Sequence, residues 1–237
     1  MLPPIQNSKA WAKFLFIVML SFAMTFLMHS ALLANEITIA QSTNAGSNNQ
    51  FVDIRAINPR IALDIRYATT NNFTKRKLYR SARCILRTPV AQALSRVQSD
   101  LETQGLGLKV FDCYRPLSVQ KFMWKIVPDS RFVANPANGS RHNRGAAVDL
   151  TLVDRAGKEL PMPTGFDDFS ERAGYSYKNL PQQVIKNRQT LRNAMAKRGF
   201  SALETEWWHF DGAGWQQYPI SDISFDAIPK SSAIGVN

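Results

Sequence analysis

The position of the histidines constrains this chain more than any other sequence feature. Only three occur among 237 residues, and two of them, His142 and His209, each lie close to a carboxylate. Asp149 follows the first by seven residues, and Glu206 precedes the second by three. A fold that uses these groups together must bring two distant segments to one place. Two imidazoles and two carboxylates suit a catalytic zinc, which takes three N or O ligands and needs a nearby carboxylate to move protons.

The first of these segments favours a loop that leads into a strand. Gly145 and the small residues after it allow two backbones to approach closely, and apolar residues alternate from 148 to 152 as in a strand. The loop can therefore deliver His142, and the strand can deliver Asp149, to the same point. Such a histidine taken alone is more often a hydrogen-bonded core or surface residue, so the prediction depends on the second segment.

The second segment, from Glu206 to His209, reads as a short strand with two tryptophans between its polar ends. Alternation along a regular strand would turn Glu206 and His209 to opposite faces. The pairing therefore requires a bend, or a frayed strand end, near the metal. We assign Glu206 to proton transfer rather than to the metal, and the tryptophans to core and pocket wall rather than to substrate stacking.

A third element is Tyr114-Arg115-Pro116, at the end of a predicted strand. Proline turns the chain away there, which lets Arg115 project into a site at the edge of the sheet. A fixed guanidinium can stabilise the oxyanion of a tetrahedral intermediate. The alternative is a surface ion pair between Arg115 and Asp112.

The order of predicted elements favours an α+β fold. Helices are predicted from Thr88 to before Gly105, over residues 118–124, and from Val184 to before Gly199. Alternation predicts strands near residues 61–65, 108–114, 146–152 and 205–210. The absence of a regular βαβ rhythm argues against a doubly wound fold. We predict a mainly antiparallel central sheet flanked by helices.

The N-terminus predicts export. Lys9 and Lys13 precede an uncharged run over residues 14–28, which is short for a membrane span. We predict a signal peptide over residues 1–40, and the alternative is an uncleaved anchor reaching Leu33. Residues 41–50 have linker composition, so a folded domain is predicted over 51–225 with a tail over 226–237. The expected location is the periplasm or another extracytoplasmic space.

The chain is strongly basic, with a formal net charge of +11, of which +10 lies beyond residue 40. Such a surplus favours approach to anionic surfaces. An exported protein meets anionic cell-wall polymers and lipid headgroups, so we expect these, or a solvated basic surface without a partner, and no nucleic acid.

Cys84 and Cys113 are the only cysteines. An even count without C-x-x-C spacing favours one disulfide in an oxidising compartment. Two buried free thiols are the alternative.

Two motifs resemble those of a known family. The run from Ser140 to Asp149 reads S-x-H-x-x-G-x-A-x-D, and the run from Glu206 to His209 reads E-x-W-H. Both are similar to the signatures of the zinc D-alanyl-D-alanine dipeptidases of the VanX type and their D,D-carboxypeptidase relatives. The resemblance covers most of residues 51–215, and it implies the fold shared by the D,D-peptidases and the hedgehog signalling domains.

The resemblance implies a role for each motif residue. His142, Asp149 and His209 match the ligands of one zinc ion per chain, and Glu206 matches the catalytic base. Arg115 matches the arginine that stabilises the transition state.

The resemblance also implies two substrate-binding residues. Ser140 matches the serine near the substrate carboxylate. Asp167 matches the acidic residue that receives the substrate ammonium group, although Asp168 lies beside it.

The resemblance implies hydrolysis of the free dipeptide D-Ala-D-Ala in cell-wall turnover. One rival is a D,D- or L,D-carboxypeptidase that acts on longer peptidoglycan peptides. Another is a zinc-containing wall-binding protein without turnover, against which the presence of both Glu206 and Arg115 argues, because a structural zinc needs neither.

Overall fold

The computed structural model describes residues 50–230 and the single positions 29, 33 and 36. The described residues 50–230 belong to one compact unit. The predicted export segment, most of the predicted linker and residues 231–237 lie outside the described residues. Within the described part, no helix combines the length and the hydropathy that a membrane span requires.

Residues 50–230 contain seven strands and four α-helices, together with five short 3-10 helices. The strands are β1 (Phe51–Asp53), β2 (Ala62–Leu63), β3 (Ile85–Arg87), β4 (Leu106–Asp112), β5 (Ala147–Asp154), β6 (Ser201–Leu203) and β7 (Glu206–Asp211). The helices are α1 (Ile54–Ile57), α2 (Thr88–Glu102), α3 (Leu117–Ile126) and α4 (Gln182–Lys197). The predicted α+β class is confirmed.

Five of the strands form the central sheet, in the order β2-β4-β5-β7-β6. The pairs β4–β5, β5–β7 and β6–β7 are antiparallel, and only the short β2 runs parallel to its neighbour β4. The sheet is therefore mixed, although mainly antiparallel as predicted. Strands β1 and β3 form a separate antiparallel pair.

The helices bury the faces that their periodicity predicts. In α2 the buried residues include Val90, Leu94, Val97 and Leu101, which recur at helical spacing. This helix packs against β4 and against α4. Strand β5 is buried on both faces, which is why its alternation predicted its position but not its depth in the core.

The segment before residue 67 contains a short helix and only part of the strand predicted near residues 61–65. Asp53 accepts a hydrogen bond from the Arg55 backbone N and caps the four-residue helix α1. The expected strand over residues 61–65 is reduced to β2, because a 3-10 helix begins at Arg66.

The disulfide between Cys84 and Cys113 is present. The two cysteines are 29 residues apart, so the bond stabilises the fold by about 3–4 kcal/mol in the chain-entropy model. Cys84 precedes β3 and Cys113 follows β4, so the bond fixes the end of the strand from which Arg115 departs.

The chain remains packed beyond residue 225. Phe225 and Ile228 are buried in the core, and Arg83 donates hydrogen bonds to both of their carbonyl oxygens. The boundaries predicted at residues 40, 50 and 225 stay predictions.

Candidate active site

The sheet brings His142, Asp149 and His209 together. His142 begins a 3-10 helix that ends at Gly145, where a φ of 68° turns the chain into β5. Asp149 on β5 pairs directly with His209 on β7. His209 Nδ1 lies 3.1 Å from His142 Nε2 and 3.0 Å from Asp149 Oδ1, and the third side of this triangle is 3.3 Å.

These three atoms fit a zinc ion. Bonds of 2.0–2.2 Å at tetrahedral angles place neighbouring ligand atoms about 3.4 Å apart, close to the sides of the triangle. Two nitrogens and one oxygen are donors that zinc accepts, and three protein ligands leave a fourth position for water or substrate. Among the described residues, these three form the group of possible ligands that lie within 4.8 Å of one another, and all three are buried.

Each histidine is oriented by a second contact. His142 Nδ1 lies 2.7 Å from the carbonyl oxygen of Cys113, and His209 Nε2 lies 2.9 Å from Asp211 Oδ1. In each ring the outer nitrogen donates, so the inner nitrogen is free to bind a metal.

The ligands are also electrostatically coupled. Burial opposes ionisation of Asp149, but the neighbouring His142 and His209 hold its pKa well below the usual range. Burial opposes protonation of His209, but hydrogen bonds to Asp149 and Asp211 raise its pKa to about 10. A metal must therefore displace a proton from His209, and its binding depends on pH.

Glu206 reaches the same pocket through a bulge in β7. Strand β6 pairs Ala202 with Phe210, but its next residue, Leu203, pairs with Glu206. This register shift supplies the bend that the motif requires, and Glu206 and His209 both line one cavity. Burial raises the pKa of Glu206 to about 7, where a carboxyl can both accept and donate a proton.

Arg115 lines the cavity and is held in place from three sides. Its Nε and Nη2 donate to Asp112 Oδ2 at 3.0 and 2.7 Å, and its Nη1 donates to Gln120 Oε1 at 3.0 Å. Its guanidinium carbon lies 5.1 Å from the centre of the Tyr67 ring. The ion pair with Asp112, given above as a surface alternative, is present but buried. Nη1 and Nη2 each keep one further N–H that can donate to a ligand.

Asp167 and Ser140 also line the cavity. Asp167 has a left-handed φ of 62° and accepts hydrogen bonds from Tyr67 Oη at 2.9 Å and Phe73 N at 3.2 Å. Burial raises its pKa to about 7. Ser140 Oγ accepts from Asn143 N at 3.2 Å, which leaves its own hydroxyl proton to donate.

The cavity has a volume of about 610 Å³. Its walls carry the three possible ligands, Glu206, Arg115, Ser140 and Asp167, together with Asp168. The aromatic lining residues are Tyr67, Phe73, Phe132, Phe169 and Trp208. Trp207 lies in the core instead, where its Nε1 donates to Thr164 Oγ1.

The sequence indicated Asp112 only as the partner of Arg115 in a surface ion pair, and it did not indicate Gln120, although both residues support the site. Asp112 accepts from both Arg115 and Tyr79, and it is fully buried. Gln120 accepts from Arg115 and donates to the Ala134 carbonyl, so it joins the guanidinium to the segment that follows α3. The one available signal was the spacing of Gln120 on an amphipathic helix directly after Arg115.

Comparison with known proteins gives one family. Residues 47–227 match the family model Peptidase_M15, described as D-ala-D-ala dipeptidase. A D-alanyl-D-alanine dipeptidase of Escherichia coli K12 is 36% identical over 179 residues, which cover 76% of this chain and 93% of the relative. A D-alanyl-D-alanine dipeptidase of Enterococcus faecium is 32% identical over 168 residues, covering 62% and 83%.

Two solved structures have a lower sequence identity to this chain than these relatives have. The D,D-dipeptidase VanXYg, in complex with a D-Ala-D-Ala phosphinate analog, is 22% identical with a TM-score of 0.36 and covers 57% of this chain and 53% of that one. The D,D-pentapeptidase VanY from a VanB-type cassette, in complex with Zn(II), is 15% identical with a TM-score of 0.37 and covers 57% and 77%.

The triangle of ligand atoms predicts one zinc ion per chain. Zinc at about 100 times its dissociation constant should stabilise the protein by about 2.7 kcal/mol, because the ion binds only the folded state. His209→Ala should lose both the bound metal and this stabilisation, while Glu171→Gln, a pocket carboxylate outside the triangle, should keep them. Metal analysis of dialysed protein and melting curves with and without zinc measure both. Equal zinc content in His209→Ala and wild type would contradict the assignment.

Proposed function

The chain belongs to the Peptidase_M15 family of D-ala-D-ala dipeptidases, and on this premise we propose that it is a zinc-dependent dipeptidase that hydrolyses D-Ala-D-Ala to two D-alanines. One observation carries the proposal. Glu206 faces the same cavity as the three-ligand cluster without belonging to that cluster. A carboxylate in this position can serve the water that attacks the peptide bond.

Glu206 is the proton carrier in this proposal. Its carboxylate takes a proton from the attacking water and then gives it to the leaving amine. Zinc, when held by His142, Asp149 and His209, supplies Lewis-acid polarisation of the carbonyl and activates the water. The pKa near 7 suits both halves of this transfer.

Arg115 stabilises the negative oxygen that develops when the carbonyl is attacked. Asp112 and Gln120 fix its guanidinium before substrate arrives, so little reorganisation is needed during the reaction. The remaining N–H groups on its terminal nitrogens are free to donate to that oxygen.

The two ends of a free dipeptide have complementary groups in the cavity. The carboxylate of Asp167 receives the ammonium group, and the hydroxyl of Ser140 donates to the terminal carboxylate. Tyr67 and Phe73 hold Asp167 in place through hydrogen bonds to its two oxygens. Recognition of both termini favours a dipeptide over a longer chain.

We also propose that the protein works outside the cytoplasm in peptidoglycan turnover. The support is the apolar N-terminal run with its preceding lysines and the disulfide, since such bonds persist in oxidising compartments. The signal peptide and the export location rest on the same support.

The test is release of D-alanine from D-Ala-D-Ala by the purified protein with zinc. Glu206→Gln should lower kcat by roughly 10²–10⁴-fold, because general acid–base catalysis is lost while the zinc ligands remain. Glu204→Gln, another carboxylate of the cavity wall, should keep the activity. Equal rates in Glu206→Gln and wild type would contradict the catalytic assignment, and cleavage of a pentapeptide but not of the dipeptide would select the carboxypeptidase alternative.

Asp167→Asn should raise KM by roughly 10–100-fold, because an amide cannot form the charge-assisted hydrogen bond to the ammonium group. Asp168→Asn serves as the matched control, and steady-state kinetics on D-Ala-D-Ala measure both. An unchanged KM in Asp167→Asn would show that the ammonium group binds elsewhere.

The variants Asp167→Asn and Asp168→Asn also test how the stability of the protein depends on pH. Because the folded-state pKa of Asp167, about 7, exceeds the ordinary value of 3.8, stability falls as pH rises through this interval. Asp167→Asn removes this loss of stability, whereas Asp168→Asn keeps it. The melting temperature of Asp167→Asn minus that of Asp168→Asn should therefore increase between about pH 5 and about pH 8. If the difference in melting temperature between the two variants does not change with pH, the pKa of Asp167 is not raised by burial.

A further inference from the structure

A second cavity lies outside the active site. It has a volume of about 410 Å³ and is formed by the segment after Thr74 and by the first half of α3. We call it the basic groove, and its lining residues are Arg76, Lys77, Leu78, Ser118, Val119 and Phe122. It shares none of these residues with the active-site cavity.

The two chain segments that form the basic groove are rich in exposed cations. Six exposed cationic residues lie on its two segments: Lys75, Arg76, Lys77, Arg80, Lys121 and Lys125. Among the described residues, none of the six forms an ion pair with a carboxylate, in contrast to Arg60, Arg83, Arg131 and Arg198. The neighbouring Asp222 accepts from the Ser118 backbone N at the start of α3.

Part of the lining of the basic groove is apolar. Leu78, Val119 and Phe122 line it, and the Arg76 guanidinium lies 5.7 Å from the centre of the Phe122 ring. One turn further along α3, Ile126 is 41% exposed beside Lys125. Exposed cations beside partly exposed apolar side chains are typical of segments that lie at a lipid headgroup boundary.

We propose that the basic groove and the exposed face of α3 bind the surface of an anionic lipid bilayer. The uncompensated positive charge complements acidic headgroups, and Phe122 with Ile126 can enter the boundary between headgroups and acyl chains. An anionic sugar or phosphate polymer could pair with the cations, but it would make no favourable contact with the apolar lining residues. This inference does not depend on the zinc site or on the proposed dipeptidase activity.

Lysine acetylation of the full chain in the presence of vesicles tests the site residue by residue. Vesicles of about one third phosphatidylglycerol in phosphatidylcholine should slow labelling of Lys75, Lys77, Lys121 and Lys125 by roughly fivefold at low salt. High salt should abolish this protection, because it screens the charges. Lys158, on another part of the chain, should be labelled at the same rate throughout.

Pure phosphatidylcholine vesicles control for the apolar N-terminal run, which carries no charge between residues 14 and 28. Equal protection of the groove lysines by both kinds of vesicle would overturn the proposal. Protection by soluble polyphosphate without protection by anionic vesicles would also overturn it, since the groove would then be a polymer site.

Two quadruple variants distinguish vesicle binding through the basic groove from binding through the overall positive charge of the protein. Changing Lys75, Lys77, Lys121 and Lys125 to Gln should lower the anionic component of vesicle binding, the excess over phosphatidylcholine, by roughly tenfold or more. The matched control changes four exposed cations elsewhere to Gln: Arg96, Arg155, Lys158 and Lys186. Both variants should give the circular dichroism spectrum and melting temperature of the wild type within a few degrees, which checks their folding. An equal loss of vesicle binding in both would contradict a local site.

Discussion

The structure depends on one row of polar residues that crosses the middle of the central sheet. Asp112 on β4 lies opposite Asp149 on β5, and Asp149 lies opposite His209 on β7. The register shifts next to this row on both sides, between Val110 and Asp112 and again along β7. Residues directly opposite each other on neighbouring strands share a face of the sheet, so the shift between Val110 and Asp112 is what places Asp112, rather than Phe111, beside Asp149.

Asp112 holds this arrangement together without lining the cavity. It accepts hydrogen bonds from Arg115 and Tyr79, and its Oδ2 lies 3.7 Å from His142 Nδ1. The residue after it, Cys113, forms the disulfide and offers its carbonyl oxygen to His142. A buried carboxylate is costly unless it is paired, so these contacts are mutually dependent and fix the guanidinium relative to the ligands.

Helices and strands that depend on local patterns of apolar residues could be predicted from the sequence. Features that depend on the pairing of distant strands could not. Helix α2 follows from its spacing of apolar residues, and β5 follows from its alternation. The position of Asp112 opposite Asp149 did not follow, because strand register depends on partners distant in sequence. The bend at Glu206 was required by the chemistry of the motif, but only the pairing of β6 with β7 locates it, between Glu206 and Phe210 and opposite Ala202 and Leu203. The four-residue helix α1 was not predicted, because about one helical turn is too short to show a periodicity of apolar residues; in the structure Asp53 caps it.

The central claim is that three side chains hold zinc while Glu206 stays free for proton transfer. X-ray absorption spectroscopy of the zinc-loaded protein tests it directly, comparing wild type with Glu206→Gln. The account predicts two imidazole nitrogens and only oxygen donors otherwise, at about 2.0–2.2 Å, with the same spectrum in both proteins. A sulfur ligand, or the loss of an oxygen ligand in Glu206→Gln, would contradict it.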